Sequence, residues 1–209
     1  MDDILDEVNA FARTVGVKKI PAGDGRTVLV RRTYAADVYD VWDAITTADR
    51  ISRWLVPVSG DLRLGGEYQL KDYARGTILA CEPPRRLKIT WVYGEDPTDA
   101  DVSEVEVRLA PSGDRTTLVL EHAAVVSDET WERYGPGATG VGWDLGLVAL
   151  GRHLRGAEFD PETWENEPDA KRAAAHSVEA WGAASAAAGT PAATVAKQVA
   201  GSMEFWVTT

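Results

Sequence analysis

The chain has 209 residues, of which 44% are hydrophobic and 26% are charged, a mixture that predicts a folded protein with a substantial core and disfavours disorder. Its 33 acidic and 22 basic residues give a formal net charge of -11. This charge argues against nucleic acid as a partner, since phosphate backbones repel an acidic chain that has no concentrated basic face. Cys81 is the single cysteine, so no disulfide can form within the chain, which fits a reducing compartment. With an acidic N-terminus and no apolar run near the roughly 20 residues of a spanning helix, the sequence predicts a cytoplasmic chain without membrane insertion.

The first segment predicts an accessory helix ahead of the main domain. Residues Asp3–Val15 carry apolar side chains at three- and four-residue spacing, which is typical of a short amphipathic helix. A turn follows at Pro21–Gly25, and the β-rich run Thr27–Tyr34 predicts the first strand of the main domain. We therefore expect residues 1–25 to form an N-terminal helix and a linker.

Two short helices and a series of strands are predicted next. Apolar residues recur at helical spacing in Ala36–Thr46 and in Ala48–Leu55. From Val58 to Ala123, short alternating runs are separated by turn residues, which indicates an antiparallel meander. The predicted strands are Asp61–Leu64, Glu67–Tyr73, Gly76–Glu82, Leu87–Tyr93, Glu104–Ala110 and Thr116–Ala123.

The alternation along these strands assigns a charged face and an apolar face to the sheet. Glu104, Glu106 and Arg108 fall on the charged face, where they are expected to be cross-strand charge partners. The apolar face must be covered, and Gly140–Arg155 supplies a helix with a broad apolar stripe. The order of elements predicts an α+β fold in which a curved antiparallel sheet packs against this long helix.

The same alternation names the side chains that should face the space between sheet and helix. They are Tyr68, Leu70, Ile78, Trp91, Tyr93, Leu120 and His122 from the sheet, with Trp54 and Trp143 from the helices. A mostly apolar lining with a few polar groups suits a small hydrophobic or aromatic ligand. Trp91, Tyr93 and Trp143 could stack on a planar ligand, but filling the core is the commoner role for aromatic residues.

Three further motifs have a chemical interpretation and a structural one. Gly135–Gly140 matches G-x-G-x-x-G, but no buried strand precedes it, so it predicts a flexible hinge and not a nucleotide loop. His122 could bond a ligand or transfer protons, or it could be a buried histidine with protein partners. The histidines and Cys81 lack the short spacings of zinc ligands, so we expect no metal and no cofactor.

Residues 156–209 predict a helical extension after the main domain. Pro168–Ala188 and Pro191–Val207 each carry an apolar stripe at helical spacing. Such stripes must be buried, either on the main domain or in a homodimer formed through these C-terminal helices.

Four short motifs within this order of elements are similar to those of a known family. They are Val41–Thr46, Trp54, Leu64–Gly66 and Gly142–Trp143. With them, residues 26–155 resemble the activator-of-Hsp90-ATPase-homologue family of the START-like, or SRPBCC, superfamily. The resemblance implies a helix-grip fold with a cavity between the sheet and the long helix. Because this superfamily includes lipid carriers, cyclases, hormone receptors and co-chaperones, the resemblance is specific for fold and weak for function.

Three hypotheses for function follow. The leading one is binding of a small hydrophobic or aromatic molecule in the cavity, with catalysis left open. The first alternative is a cyclase- or hydrolase-like enzyme that uses the same cavity, with His122 or Tyr93 moving protons. The second alternative is a protein-interaction module of the co-chaperone kind, which the name of the family suggests.

Overall fold

A single antiparallel sheet organises the chain. The computed structural model describes residues 4–94, 98, 102–157, 160–164 and 167–208. The strands are β1 (Ala12–Ile20), β2 (Gly23–Tyr34), β3 (Val58–Gly60), β4 (Glu67–Leu70), β5 (Arg75–Glu82), β6 (Arg86–Trp91), β7 (Ser103–Ser112) and β8 (Arg115–Ala124). Their order across the sheet is β1-β2-β8-β7-β6-β5-β4-β3. Each strand therefore neighbours the next one in the chain, except at the passage from β2 to β3.

The helices connect and cover this sheet. They are α1 (Ile4–Asn9), α2 (Val38–Thr46), α3 (Ala48–Ile51), α4 (Asp128–Tyr134), α5 (Gly137–Leu154), α6 (Pro161–Trp164), α7 (Pro168–Ala187) and α8 (Ala192–Met203), followed by a π-helical turn at Glu204–Thr208. Helices α2 and α3 carry the chain from β2 to β3, and α2 begins where the Asp37 carboxylate accepts a hydrogen bond from the backbone nitrogen of Tyr39 at 2.8 Å. The predicted α+β helix-grip architecture, with its added C-terminal helices, is confirmed.

The N-terminal segment differs from its prediction. Helix α1 ends at Asn9, and Ala12–Ile20 forms an edge strand that pairs with β2 through a tight hairpin. The predicted helix over Asp3–Val15 and the linker after it are therefore wrong from residue 12 onward, and residues 1–3 lie outside the described part of the chain. Most of β1 is at least partly exposed, with Val17 as an extreme case. An edge strand of this kind carries little of the apolar alternation that identifies a strand.

The predicted strand Asp61–Leu64 is also wrong. The short strand β3 lies just before it, at Val58–Gly60, and residues after Gly60 turn back toward β4. In that turn, the backbone nitrogen of Gly66 donates to the carbonyl oxygen of Arg63 at 2.9 Å. The backbone nitrogens of Asp61 and Gly65 donate to the carbonyl oxygens of Glu67 and Ile78, at 2.8 Å each. The segment is thus paired through turns and single contacts to β4 and β5, and not through a regular strand ladder.

The charged face of the sheet carries the predicted cross-strand ion pairs. Lys88 contacts Glu104 at 2.8 Å, and Arg86 contacts Glu106 at 2.7 Å. Arg108, on the same strand as Glu106, lies 2.9 Å from that carboxylate. Both glutamates are buried beneath the longer basic side chains, so the charged face of the sheet excludes water from its carboxylates.

Helix α5 lies between two layers, with the sheet on one side and α7 on the other. Close approach to α7 requires Gly140, because a Cβ at this position would lie 2.2 Å from the Trp181 ring. Residues 137–140 of the glycine motif are helical, so the predicted hinge is wrong for this part, and the glycines allow close helix packing. The C-terminal helix α7 is packed on the main domain through this contact.

Candidate functional site

The space between the sheet and α5 contains a cavity of about 140 Å³. Strands β4 to β8 supply the largest part of its wall, and the remainder comes from the helices α2, α3 and α5, from β3 and from the segments that connect these elements. Of the residues expected to face this space, those that line the cavity are Tyr68, Leu70, Ile78, Trp91, Leu120, Trp54 and Trp143. None of the described lining residues carries a charged side chain.

Sequence reasoning missed part of the wall that α5 provides. Gly142 and Gly146 both line the cavity, one helical turn apart and on the same face as Trp143 and Leu147. A Cβ built at Gly146 would meet no atom within 4 Å. The signal was available in the sequence as two glycines four residues apart, within a helix whose other positions on that face are large.

An aromatic group forms one wall of the cavity. The ring centroids of Trp91 and Trp143 lie 5.0 Å apart with an interplanar angle of 55°. Tyr73 is edge-on to Trp91 at 5.8 Å, and Tyr68 lies 6.5 Å from it. The contact with Tyr73 is the edge-to-face kind that aromatic rings favour, and the other two are tilted, so the four rings pack against one another as one wall.

His122 does not line the cavity, but it is hydrogen-bonded to Trp143 in the aromatic wall. The indole nitrogen of Trp143 donates to Nδ1 of His122 at 3.0 Å, and Nε2 of His122 lies 2.8 Å from the hydroxyl of Ser103. That hydroxyl donates to the carbonyl oxygen of Trp91 at 2.7 Å. Because Nδ1 accepts, the proton of the neutral ring lies on Nε2. Each group then donates to the next, from the Trp143 indole through His122 and Ser103 to the carbonyl oxygen of Trp91.

These hydrogen bonds decide what His122 can do chemically. Burial lowers the pKa of its imidazole from 6.5 to about 4, so the ring is neutral at pH 7. Both ring nitrogens already have protein partners. Of the two interpretations of His122 given by the sequence, the geometry matches the buried histidine with protein partners.

The predicted inward orientation of Tyr93 is wrong. Strand β6 ends at Trp91, two residues before Tyr93, and the Tyr93 side chain is 49% exposed. Its ring packs against Tyr73 at 5.5 Å, outside the lining of the cavity. The alternation of the strand cannot be extended past its last paired residue, which explains the error.

The polar atoms of several lining side chains are already paired within the protein. The Trp54 indole nitrogen donates to the carbonyl oxygen of Ala44 at 2.9 Å, and the Tyr68 hydroxyl donates to that of Thr90 at 2.7 Å. Burial, and to a lesser extent the neighbouring Tyr93, raise the pKa of Tyr68 above its usual range. Tyr68 therefore acts here as a fixed neutral donor.

A second polar cluster lies on the far side of α5, away from the cavity. Oδ2 of the buried Asp144 accepts hydrogen bonds from Arg13 at 2.8 Å, from Ser177 at 2.5 Å and from the Trp181 indole at 3.1 Å. Burial raises the pKa of Asp144 to about 6, although Arg13 and the two hydrogen-bond donors act in the opposite direction. This carboxylate joins β1, α5 and α7. Sequence reasoning missed it, and the signal was the single acidic residue of a helix whose other buried positions are apolar.

Among the residues that the structure describes, no group of three or more histidine, cysteine or acidic side chains is placed to hold a metal ion. In the same part of the chain, every helix is too short or too polar to cross a bilayer.

Comparisons with known proteins agree with this architecture. A curved sheet gripping a long helix, with a cavity between them, defines a helix-grip protein. Residues 35–155 match the family model described as Activator of Hsp90 ATPase homolog 1-like protein. The chain belongs to this family, as the resemblance of its motifs predicted.

Solved structures extend the similarity beyond the family model. The crystal structure of CalU16 from Micromonospora echinospora is 40% identical, covers 84% of this chain and 98% of its own, and has a TM-score of 0.68. Its solution structure gives 40% identity, 87% and 97% coverage, and a TM-score of 0.71. MLL2253 from Mesorhizobium loti is 26% identical over 64% of this chain and 100% of its own, with a TM-score of 0.54. No curated protein gives a significant match.

Proposed function

We propose that this protein binds a small, neutral, hydrophobic or aromatic molecule in the cavity between the sheet and α5. The observation that carries the proposal is the unfilled space of about 140 Å³ behind an aromatic wall that contains Trp91 and Trp143. Protein cores are normally packed without voids larger than a water molecule, so an apolar space of this size needs a reason.

The size and the lining indicate what would fit. An apolar cavity of about 150 Å³ engineered in another protein stays dry and binds benzene. The cavity described here is close to that volume, which suits a single aromatic ring with a short substituent. A charged ligand is disfavoured because the described lining offers no opposite charge to offset its desolvation.

The two alternatives have less support. An enzyme that uses His122 as its acid or base would need a free ring nitrogen, and both nitrogens have protein partners. Tyr93, the other candidate, lies outside the lining. A protein-interaction module would be favoured by a well-filled interior, which the cavity argues against. The cytoplasmic location and the homodimer through the C-terminal helices stay predictions.

The experiment is a thermal-shift screen of small aromatic and aliphatic compounds against the purified chain and one variant. Since a Cβ at Gly146 meets no atom within 4 Å, Gly146→Leu should place its side chain in the unfilled space. Ligands at about 100 times Kd should stabilise the wild type by about 2.7 kcal/mol. They should have no effect on Gly146→Leu.

Ala183→Leu is the matched control, because it adds the same kind of side chain to α7 at an exposed position. It should respond to ligands as the wild type does. If no compound stabilises the wild type, or if Gly146→Leu responds as strongly as the control, the proposal is wrong.

A further inference from the structure

One buried donor in the wall of the cavity has no partner. Trp91 is 3% exposed and lines the cavity, and its indole nitrogen has no hydrogen-bond acceptor among the residues that the structure describes. An indole nitrogen can only donate, so it cannot be satisfied by any donor nearby.

Other lining side chains with the same chemistry differ from Trp91. The indole nitrogens of Trp54 and Trp143 each donate to a protein acceptor, at 2.9 Å and 3.0 Å. The hydroxyls of Tyr68 and Thr46 donate to backbone carbonyls at 2.7 Å each. The fold therefore pairs the donors around Trp91 while its own donor is left without an acceptor.

An unpaired buried donor is unfavourable, because folding removes its hydrogen bond to water and no hydrogen bond within the protein replaces it. Such groups are rare in folded proteins, and each one calls for an explanation. Trp91 lines an unfilled cavity, so a hydrogen-bond acceptor on a molecule bound there would explain its unpaired indole nitrogen. The neighbouring network also supports this interpretation, since the Ser103 hydroxyl fixes the backbone of Trp91 at 2.7 Å and so helps to hold the residue in place.

We infer that the ligand of this cavity carries a hydrogen-bond acceptor, such as a carbonyl or ether oxygen, which accepts from the Trp91 indole. The inference rests on the proposed function and names the chemistry of its ligand: a neutral, mainly apolar molecule of about the size of one aromatic ring, with an acceptor on its substituent. The acceptor sets the orientation of the molecule, and the apolar wall supplies most of the contact.

The test compares two molecules of nearly the same shape. Acetophenone has a carbonyl group where ethylbenzene has a methylene group, so only acetophenone carries a hydrogen-bond acceptor. Burying a carbonyl without a hydrogen bond is unfavourable, so ethylbenzene should bind more tightly if the Trp91 donor plays no part. If the donor is used, acetophenone should bind more tightly than ethylbenzene, by about fivefold, the effect of one net hydrogen bond. Isothermal titration of both compounds into the wild-type protein measures this ratio of Kd values.

Two variants test whether the preference for acetophenone depends on the Trp91 indole. Trp91→Phe keeps an aromatic ring and removes the donor, so the preference for acetophenone should be lost. Trp54→Phe makes the same chemical change at a lining residue whose donor already has a protein acceptor, and the preference should remain. The Trp91 indole proton provides a readout that needs no variant. In nuclear magnetic resonance spectra of wild-type protein with labelled indole nitrogens, acetophenone should shift it toward the hydrogen-bonded range, and ethylbenzene should not.

The possible outcomes separate this inference from the proposed function. If both compounds bind and ethylbenzene binds equally well or better, the inference is wrong and the proposed function stands. The same conclusion follows if Trp91→Phe keeps the preference. If neither compound binds the wild type, the proposed function fails for this class of ligand and the inference fails with it.

Discussion

The indole nitrogen of Trp143 donates a hydrogen bond to Nδ1 of His122 over 3.0 Å. This contact joins α5 to β8 at the point where the helix covers the sheet. It also assigns the proton of His122 to Nε2, which faces the Ser103 hydroxyl. A histidine that the sequence offered as a catalytic candidate is thus a residue that positions the aromatic wall of a cavity.

This arrangement predicts how His122 affects stability as the pH changes. Its folded-state pKa of about 4 lies below its ordinary value of 6.5, so the unfolded chain binds its proton more tightly. The stability that neutral His122 contributes is fully present above about pH 6.5 and is lost as the pH falls toward 4, by on the order of 3 kcal/mol in total. Urea unfolding of wild type and His122→Asn between about pH 4 and pH 8 measures this.

We expect His122→Asn to be less stable than wild type at neutral pH, with the difference shrinking toward low pH. Asparagine keeps an acceptor for Trp143 but does not titrate. A difference that stays constant across the range would contradict the assigned protonation state.

Asp144 should show the opposite dependence on pH. Burial raises its folded-state pKa from 3.8 to about 6, so the folded chain binds the proton more tightly than the unfolded chain does. Its contribution therefore falls as the pH rises from about 4 through 6, again by on the order of 3 kcal/mol. In the same titration, the stability of Asp144→Asn relative to wild type should rise across this window. A relative stability that fell instead would show that the carboxylate is favoured as the charged form.

The two glycines of α5 that line the cavity predict a contrast. At Gly142, a Cβ would lie 3.2 Å from the Trp206 ring of the C-terminal turn, whereas at Gly146 it meets nothing within 4 Å. Gly146→Ala should stabilise the protein by about 0.5–1 kcal/mol, the usual gain in a helix interior. Gly142→Ala should gain less or destabilise, because Trp206 must shift. Urea unfolding measures both, and equal stabilisation by the two changes would mean that Trp206 does not pack on Gly142.

The packing of α7 on α5 predicts that the C-terminal helices belong to the same cooperative unit as the sheet. Trp181 is fully buried and contacts both Gly140 and Asp144. Trp181→Ala should cost about 3–5 kcal/mol, in the range for large core truncations. Ala183→Ser, at an exposed position of the same helix, should stay within about 0.5 kcal/mol of wild type. A loss below about 1 kcal/mol for Trp181→Ala would show that α7 is dispensable for the fold.

The sequence predicted those parts of the fold in which one face is buried. Period-two alternation placed Trp91 and Leu120 in the cavity wall, and helical spacing identified α5, because burial of one face imposes these patterns. It failed for β1, an edge strand whose positions are mostly exposed or half-buried. It also failed at Tyr93, which lies beyond the last paired residue of β6.

The roles of polar residues could be predicted less well. His122 was found because it alternates with outward residues on the apolar face of its strand, but only the distances to Trp143 and Ser103 show that its nitrogens are engaged. Asp144 depends on Arg13 and Ser177, which are far from it in the chain and are brought together by the packing of β1 and α7. Partners of this kind leave no local periodicity in a single sequence.

The most direct test of the central claim is to locate a bound probe. Ethylbenzene is titrated into wild-type protein with isotope-labelled methyl groups, and the methyl resonances that shift are mapped onto the chain. The account predicts saturable shifts concentrated on Ile78, Leu118 and Leu147, which line the cavity from the sheet and from α5. Shifts confined to surface residues such as Val17, or no saturable shift at all, would contradict a ligand cavity between the sheet and α5.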